Sequence, residues 1–138
     1  MPVLFTKAAT RFKFDNATGI RKWILSAIKK EGYTAGYIQF VFCSDDYLLE
    51  LNQQYLHHDT LTDIITFDYR EGKKISGDIF ISIDRVKENA GKFNVRFKDE
   101  LHRVMIHGIL HLCGYKDKDK KSTQVMREKE DFYLERLT

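Results

Sequence analysis

Residues 104–114 read VMIHGILHLCG, from Val104 to Gly114. Seven of these eleven residues are apolar, two are glycine, and the remaining two are His107 and His111. A helix apolar on nearly every side belongs in the interior of a fold. The stretch therefore predicts a long buried helix from about Lys98 to Cys113, stopped by Gly114, and its imidazoles become interior groups that need partners. A spacing of four stacks them on one helical face. They are either core histidines hydrogen-bonded to backbone or carboxylates, or two ligands of one ion, the spacing of helix-borne zinc sites.

The residues that follow favour the ion. Gly114 can adopt the left-handed conformation that ends a helix and turns the chain back. Three residues later Asp117 offers a carboxylate, completing the string H-x-x-x-H-x-x-G-x-x-D. Two nitrogens and one oxygen leave a coordination position open, as in catalytic rather than structural zinc sites. The expectation is one Zn2+ per chain on His107, His111 and Asp117. Gly108 costs the helix about 1 kcal/mol relative to alanine, which points to close approach by backbone or ligand, or to a tight helix–sheet contact. Zinc proteases of this spacing carry a glutamate directly after the first histidine as general base. Here that slot is Gly108, which disfavours a protease.

Outward from this helix the pattern is mixed. Strands are expected at about Pro2 to Thr6, Tyr37 to Cys43, Ile64 to Tyr69 and Ile75 to Ile83, with a further extended stretch around Arg11 to Phe14. The EGKK between the third and fourth of these strands reads as a hairpin. Helices are expected from Asn16 to Gly32, from Asp45 to about Tyr55 behind a Ser44 cap, and from Asp84 to Lys92. A last amphipathic helix, capped by Ser122, has Val125, Met126, Phe132, Tyr133 and Leu137 among its apolar positions. Leu56 to Asp63 is a polar loop. The fold class is α+β, a small mixed sheet packed against several helices, or a three-layer α/β; strand order is not readable.

The chain has 138 residues, 43% hydrophobic and 31% charged, which predicts one domain, residues 1–138, and excludes disordered and collagen-like classes. No apolar run approaches the roughly 20 residues that cross a bilayer, and MPVLFTKAATRFKFDN does not read as a secretory signal. Cys43 and Cys113 read as reduced thiols of a cytoplasmic protein. The net charge of +3 is uneven. Residues 1–69 carry 7 Lys+Arg against 8 Asp+Glu, and residues 70–138 carry 16 against 12. The second half thus allows an anionic partner such as nucleic acid.

HGILHLCGYKD (His107 to Asp117) resembles the signature of the YbeY family of bacterial endoribonucleases and ribosomal-RNA maturation factors, of the form H-G-x-L-H-L-x-G-Y-D-H. LNQQYLHHDTLTDIITF (Leu51 to Phe67) and SGDIFIS (Ser76 to Ser82) resemble two upstream segments of the family, and the resemblance spans about residues 35 to 135. It implies that His107 and His111 are the first two metal ligands. Aligned without a gap, Asp117 stands at the third family histidine and Lys116 at the family's aspartate; a one-residue insertion would put Lys118 there instead. The family's Tyr-Arg reads Tyr55-Leu56, so an arginine is missing, with His57, His58 or Arg70 as substitutes toward phosphate. Asp63 and Asp78 also match, as a turn acceptor and a hydrogen-bond partner beside the sheet. Lys116, Lys118, Lys120 and Lys121 are either a solvated loop or cations that steer a phosphate backbone.

The function implied is a zinc-dependent, single-strand-specific endoribonuclease of 16S rRNA 3′-end maturation and late ribosome quality control, with ribosomal RNA, single-stranded RNA and the ribosome as partners and no membrane. The alternative is a non-catalytic ribosome-assembly factor that binds rRNA and carries a structural metal.

Overall fold

The structure, a computed structural model, describes residues 3–57 and 61–137. Pro2 and His58 of the expected elements lie outside them. Four strands, β1 (Val3–Ala8), β2 (Thr34–Cys43), β3 (Ile64–Asp68) and β4 (Lys74–Ser82), join five helices: α1 (Ala17–Lys30), α2 (Asp45–Leu56), α3 (Ile83–Lys92), α4 (Phe97–Leu112) and α5 (Lys120–Leu134). The sheet order is β1-β2-β4-β3. β1, β2 and β4 run parallel, and β3 returns antiparallel beside β4, with Ile64 opposite Ile81. The fold is thus α+β, with a small mixed sheet.

Strand alternation sorts the side chains to two faces. Ile38, Phe40 and Phe42 of β2 and Ile75, Ile79 and Ile81 of β4 are all buried in the main core with Ile24, Met105, Ile109 and Leu112 of α1 and α4. Each such side chain contributes about 1.5–3 kcal/mol by leaving water. The opposite face holds Cys43, Ile65, Phe67 and Phe80, packed with Leu48 and Leu51 of α2. β4 runs directly into α3 at Ser82, whose hydroxyl accepts from the Arg85 amide and donates to Asp45 at the start of α2.

Gly108 is explained by the helix–sheet contact. A Cβ there would stand 3.0 Å from both Ile64 Cδ1 and Ile79 Cγ2, so the bare backbone lets α4 settle onto β3 and β4. The EGKK turn forms the expected hairpin, closed by a Glu71–Lys74 bridge.

Two expectations are corrected. Arg11 to Phe14 is not a strand: Phe12 packs edge-on against Phe42 and Phe97, and Phe14 against Phe5 and Phe42, while the backbone joins no ladder. Its alternation reflects two half-buried rings packed against the main core. The cap of α5 is Asp119 rather than Ser122. Asp119 accepts from the Ser122 amide at 2.7 Å and Ser122 accepts from the Asp119 amide at 3.2 Å, a reciprocal box. The helix ends at Leu134, before Leu137, and Val125 is exposed while Met126 and Tyr133 are buried. Cys43 and Cys113 are free and buried, and burial pushes both thiols up to about 12. Among the described residues no helix is long and apolar enough to cross a membrane.

Candidate metal centre

α4 sets His107 and His111 one turn apart, ring centroids 4.5 Å from each other and planes at 84°. The turn that follows brings the third donor. Gly114 takes φ 101°, the Gly114 amide donates to the His111 carbonyl, and the Tyr115 amide to the Leu110 carbonyl. This pair of bonds is the Schellman closure, which satisfies the last carbonyls of the helix and reverses the chain. Thr123 Oγ1 then donates to the Asp117 carbonyl, anchoring the returning loop to α5. Asp117, not Lys118, is the residue delivered to the histidines. Asp117 Oδ2 lies 3.3 Å from His107 Nε2 and 3.5 Å from His111 Nε2, and the two Nε2 atoms are 3.0 Å apart.

The other ring nitrogens decide what those atoms present. His107 Nδ1 is 2.6 Å from Glu130 Oε2, and His111 Nδ1 is 3.0 Å from the Tyr115 carbonyl. A carboxylate and a carbonyl oxygen can only accept, so both Nδ1 atoms carry hydrogen, and in the neutral rings both Nε2 atoms turn lone pairs inward. Two lone pairs 3.0 Å apart beside a carboxylate call for a cation between them. A tetrahedral ion with ligands at about 2.0–2.1 Å spaces its donors about 3.3–3.4 Å apart, and the three distances here bracket that edge. The three donors together could hold a metal ion.

The groups around His107 favour positive charge at the site. Burial works against charge on His107, yet its hydrogen bond to Glu130, with Asp117 and Asp63 nearby, raises its pKa above the ordinary imidazole value. Glu130 is itself buried on α5 and also accepts from Arg103 at 2.9 Å, while Arg103 reaches Asp131 at 2.6 Å. Such partners behind a ligating histidine hold its ring and tautomer. Glu130 is the residue sequence reasoning missed. The signal was present: Met126, Glu130 and Tyr133 fall on one helical face, so a carboxylate sits in an otherwise apolar stripe.

The donors open onto a cavity of about 530 Å³ lined by Asn52, Leu56, Asp63, Asp68 and Leu112 among others. A second, of about 330 Å³, lies toward Glu100, Arg103 and Glu130. Asp63, His107 and Asp117 line both. Asp63 is thus more than a turn residue. Its carbonyl accepts from the Ser82 amide, and burial pushes its carboxyl above the usual range against the pull of His107. Asp78 accepts from Tyr69 Oη at 3.2 Å, beside the sheet as expected. Leu56 lines the main cavity; His57, the left-handed cap of α2, and Arg70 do not. Lys116, Lys118, Lys120 and Lys121 are exposed.

Comparison with known proteins closes the case for the family. The family model described as Endoribonuclease YbeY matches residues 5–138. A curated Endoribonuclease YbeY of Flavobacterium psychrophilum is 56% identical over 120 residues, covering 87% of this chain and 86% of that protein. Another, of Cytophaga hutchinsonii, is 52% identical over 133 residues, covering 96% and 93%. The solution structure of TM1509 from Thermotoga maritima superposes with a TM-score of 0.70 at 31% identity, covering 98% of this chain and 88% of that one. Two histidines on a buried helix and an aspartate on the turn that follows it, in this fold and at this identity, place the chain in the Endoribonuclease YbeY family.

Proposed function

We propose that this chain is a zinc-dependent endoribonuclease of the cytoplasm, cutting single-stranded RNA in 16S rRNA 3′-end maturation and late ribosome quality control, with rRNA and the ribosome as partners. The observation that carries the reading is the convergence of His107 Nε2, His111 Nε2 and Asp117 Oδ2 at the edge of an open cavity. His107, His111 and Asp117 would hold one zinc ion. Such an ion supplies positive charge that makes water a nucleophile near neutral pH and offsets charge developing on a phosphodiester.

The chain's own contribution is positioning. Glu130 and the Tyr115 carbonyl keep the hydrogens on Nδ1 and the ligating nitrogens bare. The Gly114 turn sets Asp117 opposite them. The donors face a cavity of about 530 Å³, and the absence of a side chain at Gly108 leaves no protease-type base. Two buried reduced thiols suit a reducing compartment.

One observation favours the assembly-factor alternative: the described lining of the main cavity includes three aspartates and no lysine or arginine. A cleavage time course on labelled single-stranded rRNA decides between them, comparing metal-quantified wild type with the His107→Ala/His111→Ala variant purified identically. Wild type should cut with about one zinc per chain and the variant should lose both metal and cleavage. Equal cleavage by the two would mark a contaminant and leave an RNA-binding assembly factor.

A further inference from the structure

The described lining of the main cavity includes no lysine or arginine, so side-chain cations of those types that hold a strand beside the donors lie past its rim. At the end of the cavity marked by Asp68 and Leu112 the chain provides two. Arg70 follows Asp68 by two residues, within about 7 Å of chain. Its guanidinium meets the turn that carries the metal donors: a Cβ on Gly114 would lie 3.7 Å from Arg70 Nη1. Gly114 is midway between His111 and Asp117.

Arg70 is held there rather than waving in solvent. Nη1 donates to Tyr33 Oη at 3.3 Å, and the guanidinium carbon is 5.5 Å from the centre of the Tyr33 ring. Lys73 Nζ is 5.1 Å from the same ring centre. The backbone beneath them is pinned. The Arg70 amide donates to Asp68 Oδ1 at 2.8 Å, Glu71 and Lys74 bridge around Gly72, and the Thr34 amide donates to the Lys73 carbonyl at 2.8 Å.

Two positive groups on one aromatic ring repel each other and favour an anion that both can reach. Among the described residues neither Arg70 nor Lys73 has a carboxylate in ion-pair contact, whereas Arg85, Arg96, Arg103 and Lys129 do. The acid at the end of α1, Glu31, is engaged by Tyr115, Tyr133 and Lys129. We propose that Arg70 and Lys73, gathered on Tyr33, bind a backbone phosphate of single-stranded RNA immediately beyond the metal centre. The site rests on the ribonuclease reading, but its test does not use cleavage.

The measurement is fluorescence anisotropy of a labelled 2′-O-methyl oligouridylate of about 12 nucleotides against salt from about 50 to 300 mM, with the oligomer checked intact afterwards. Each phosphate contact on a single strand contributes a slope of about −0.7 in log affinity against log salt. Arg70→Ala/Lys73→Ala should bind about 25-fold more weakly at 0.1 M salt, with a slope shallower by about 1.4. Arg70→Gln/Lys73→Gln, which keeps the aliphatic stems, should behave the same, and Arg70→Lys should keep the wild-type slope. Lys22→Ala/Lys87→Ala removes the same charge from exposed positions on α1 and α3 and should change the slope by less than half as much. An unchanged slope in the Arg70/Lys73 variants, or an equal change in the Lys22/Lys87 control, overturns the site. Failure of wild type to bind the oligomer at all overturns the RNA reading and the site with it.

Discussion

Replacing Glu130 by glutamine keeps shape and volume but removes the charge that sits behind His107. Wild-type Glu130 accepts two hydrogen bonds with one ionised group, from His107 Nδ1 at 2.6 Å and from Arg103 Nη1 at 2.9 Å. An amide has one accepting oxygen and one NH2, so it can serve only one of these donors and must turn its own donor toward the other. With Glu130 about 5% exposed, water cannot repair the mismatch. A charge-assisted bond lost in such a place costs about 1.5–3 kcal/mol of stability. Its effect on the metal is of the size seen for partners behind ligating histidines, a 10–100-fold rise in the zinc dissociation constant, or about 1.4–2.7 kcal/mol. The assay is competition with a chromophoric chelator, read beside thermal unfolding. Asp131→Asn, which touches Arg103 but not His107, is the control and should shift zinc affinity less than about twofold. If Glu130→Gln also stays within twofold while His107→Ala abolishes binding, Glu130 does not position His107 and the reasoning fails.

Other outcomes follow from the same geometry. Leu56→Arg puts a guanidinium into a cavity whose described lining includes no lysine or arginine, so single-stranded RNA should bind about fivefold tighter at 0.1 M salt, with a slope steeper by about 0.7; no change in the salt titration would refute this. Gly77→Ala sets a Cβ 2.5 Å from the Phe67 carbonyl and 2.9 Å from Leu112 Cδ2, so urea denaturation should show a loss of about 2–3 kcal/mol; a wild-type midpoint contradicts it. Asp45 is held below the usual carboxylate range first by its hydrogen bond to Arg85, with burial opposing and Ser82 assisting. Because its folded pKa is depressed, the stabilisation is present above the unfolded value near about 4 and is lost as pH falls through the folded value. Asp45→Asn should therefore be less stable than wild type by about 1–2 kcal/mol at pH 7, with the gap closing in acid. A pH-independent gap would refute the linkage.

What a sequence can disclose about this protein is set by distance along the chain. The period of VMIHGILHLCG put His107 and His111 on one face, and the glycine after it announced the reversal that returns Asp117; helix periodicity and Schellman closure are bonds between residues a few positions apart. The EGKK hairpin was legible for the same reason. Asp119 and Ser122 show where local reading begins to fail, because each caps the other and either looks like the start of the helix. Phe12 and Phe14 show it more sharply, since their alternation imitates a strand although both rings are spoken for by Phe42 and its neighbours. The pairing of β2 with β1 and β4, the seat of α4 on Ile64 and Ile79, and the Glu130 carboxylate behind His107 depend on partners far along the chain. Such pairings are selected by the burial of whole faces against the entropy of closing long loops, a balance struck by the entire chain. Thus the donor string belongs to the sequence alone. The orientation of its nitrogens, the cavity they face and the cations gathered at its rim arise only once α5, the sheet and the Gly114 turn have closed around them.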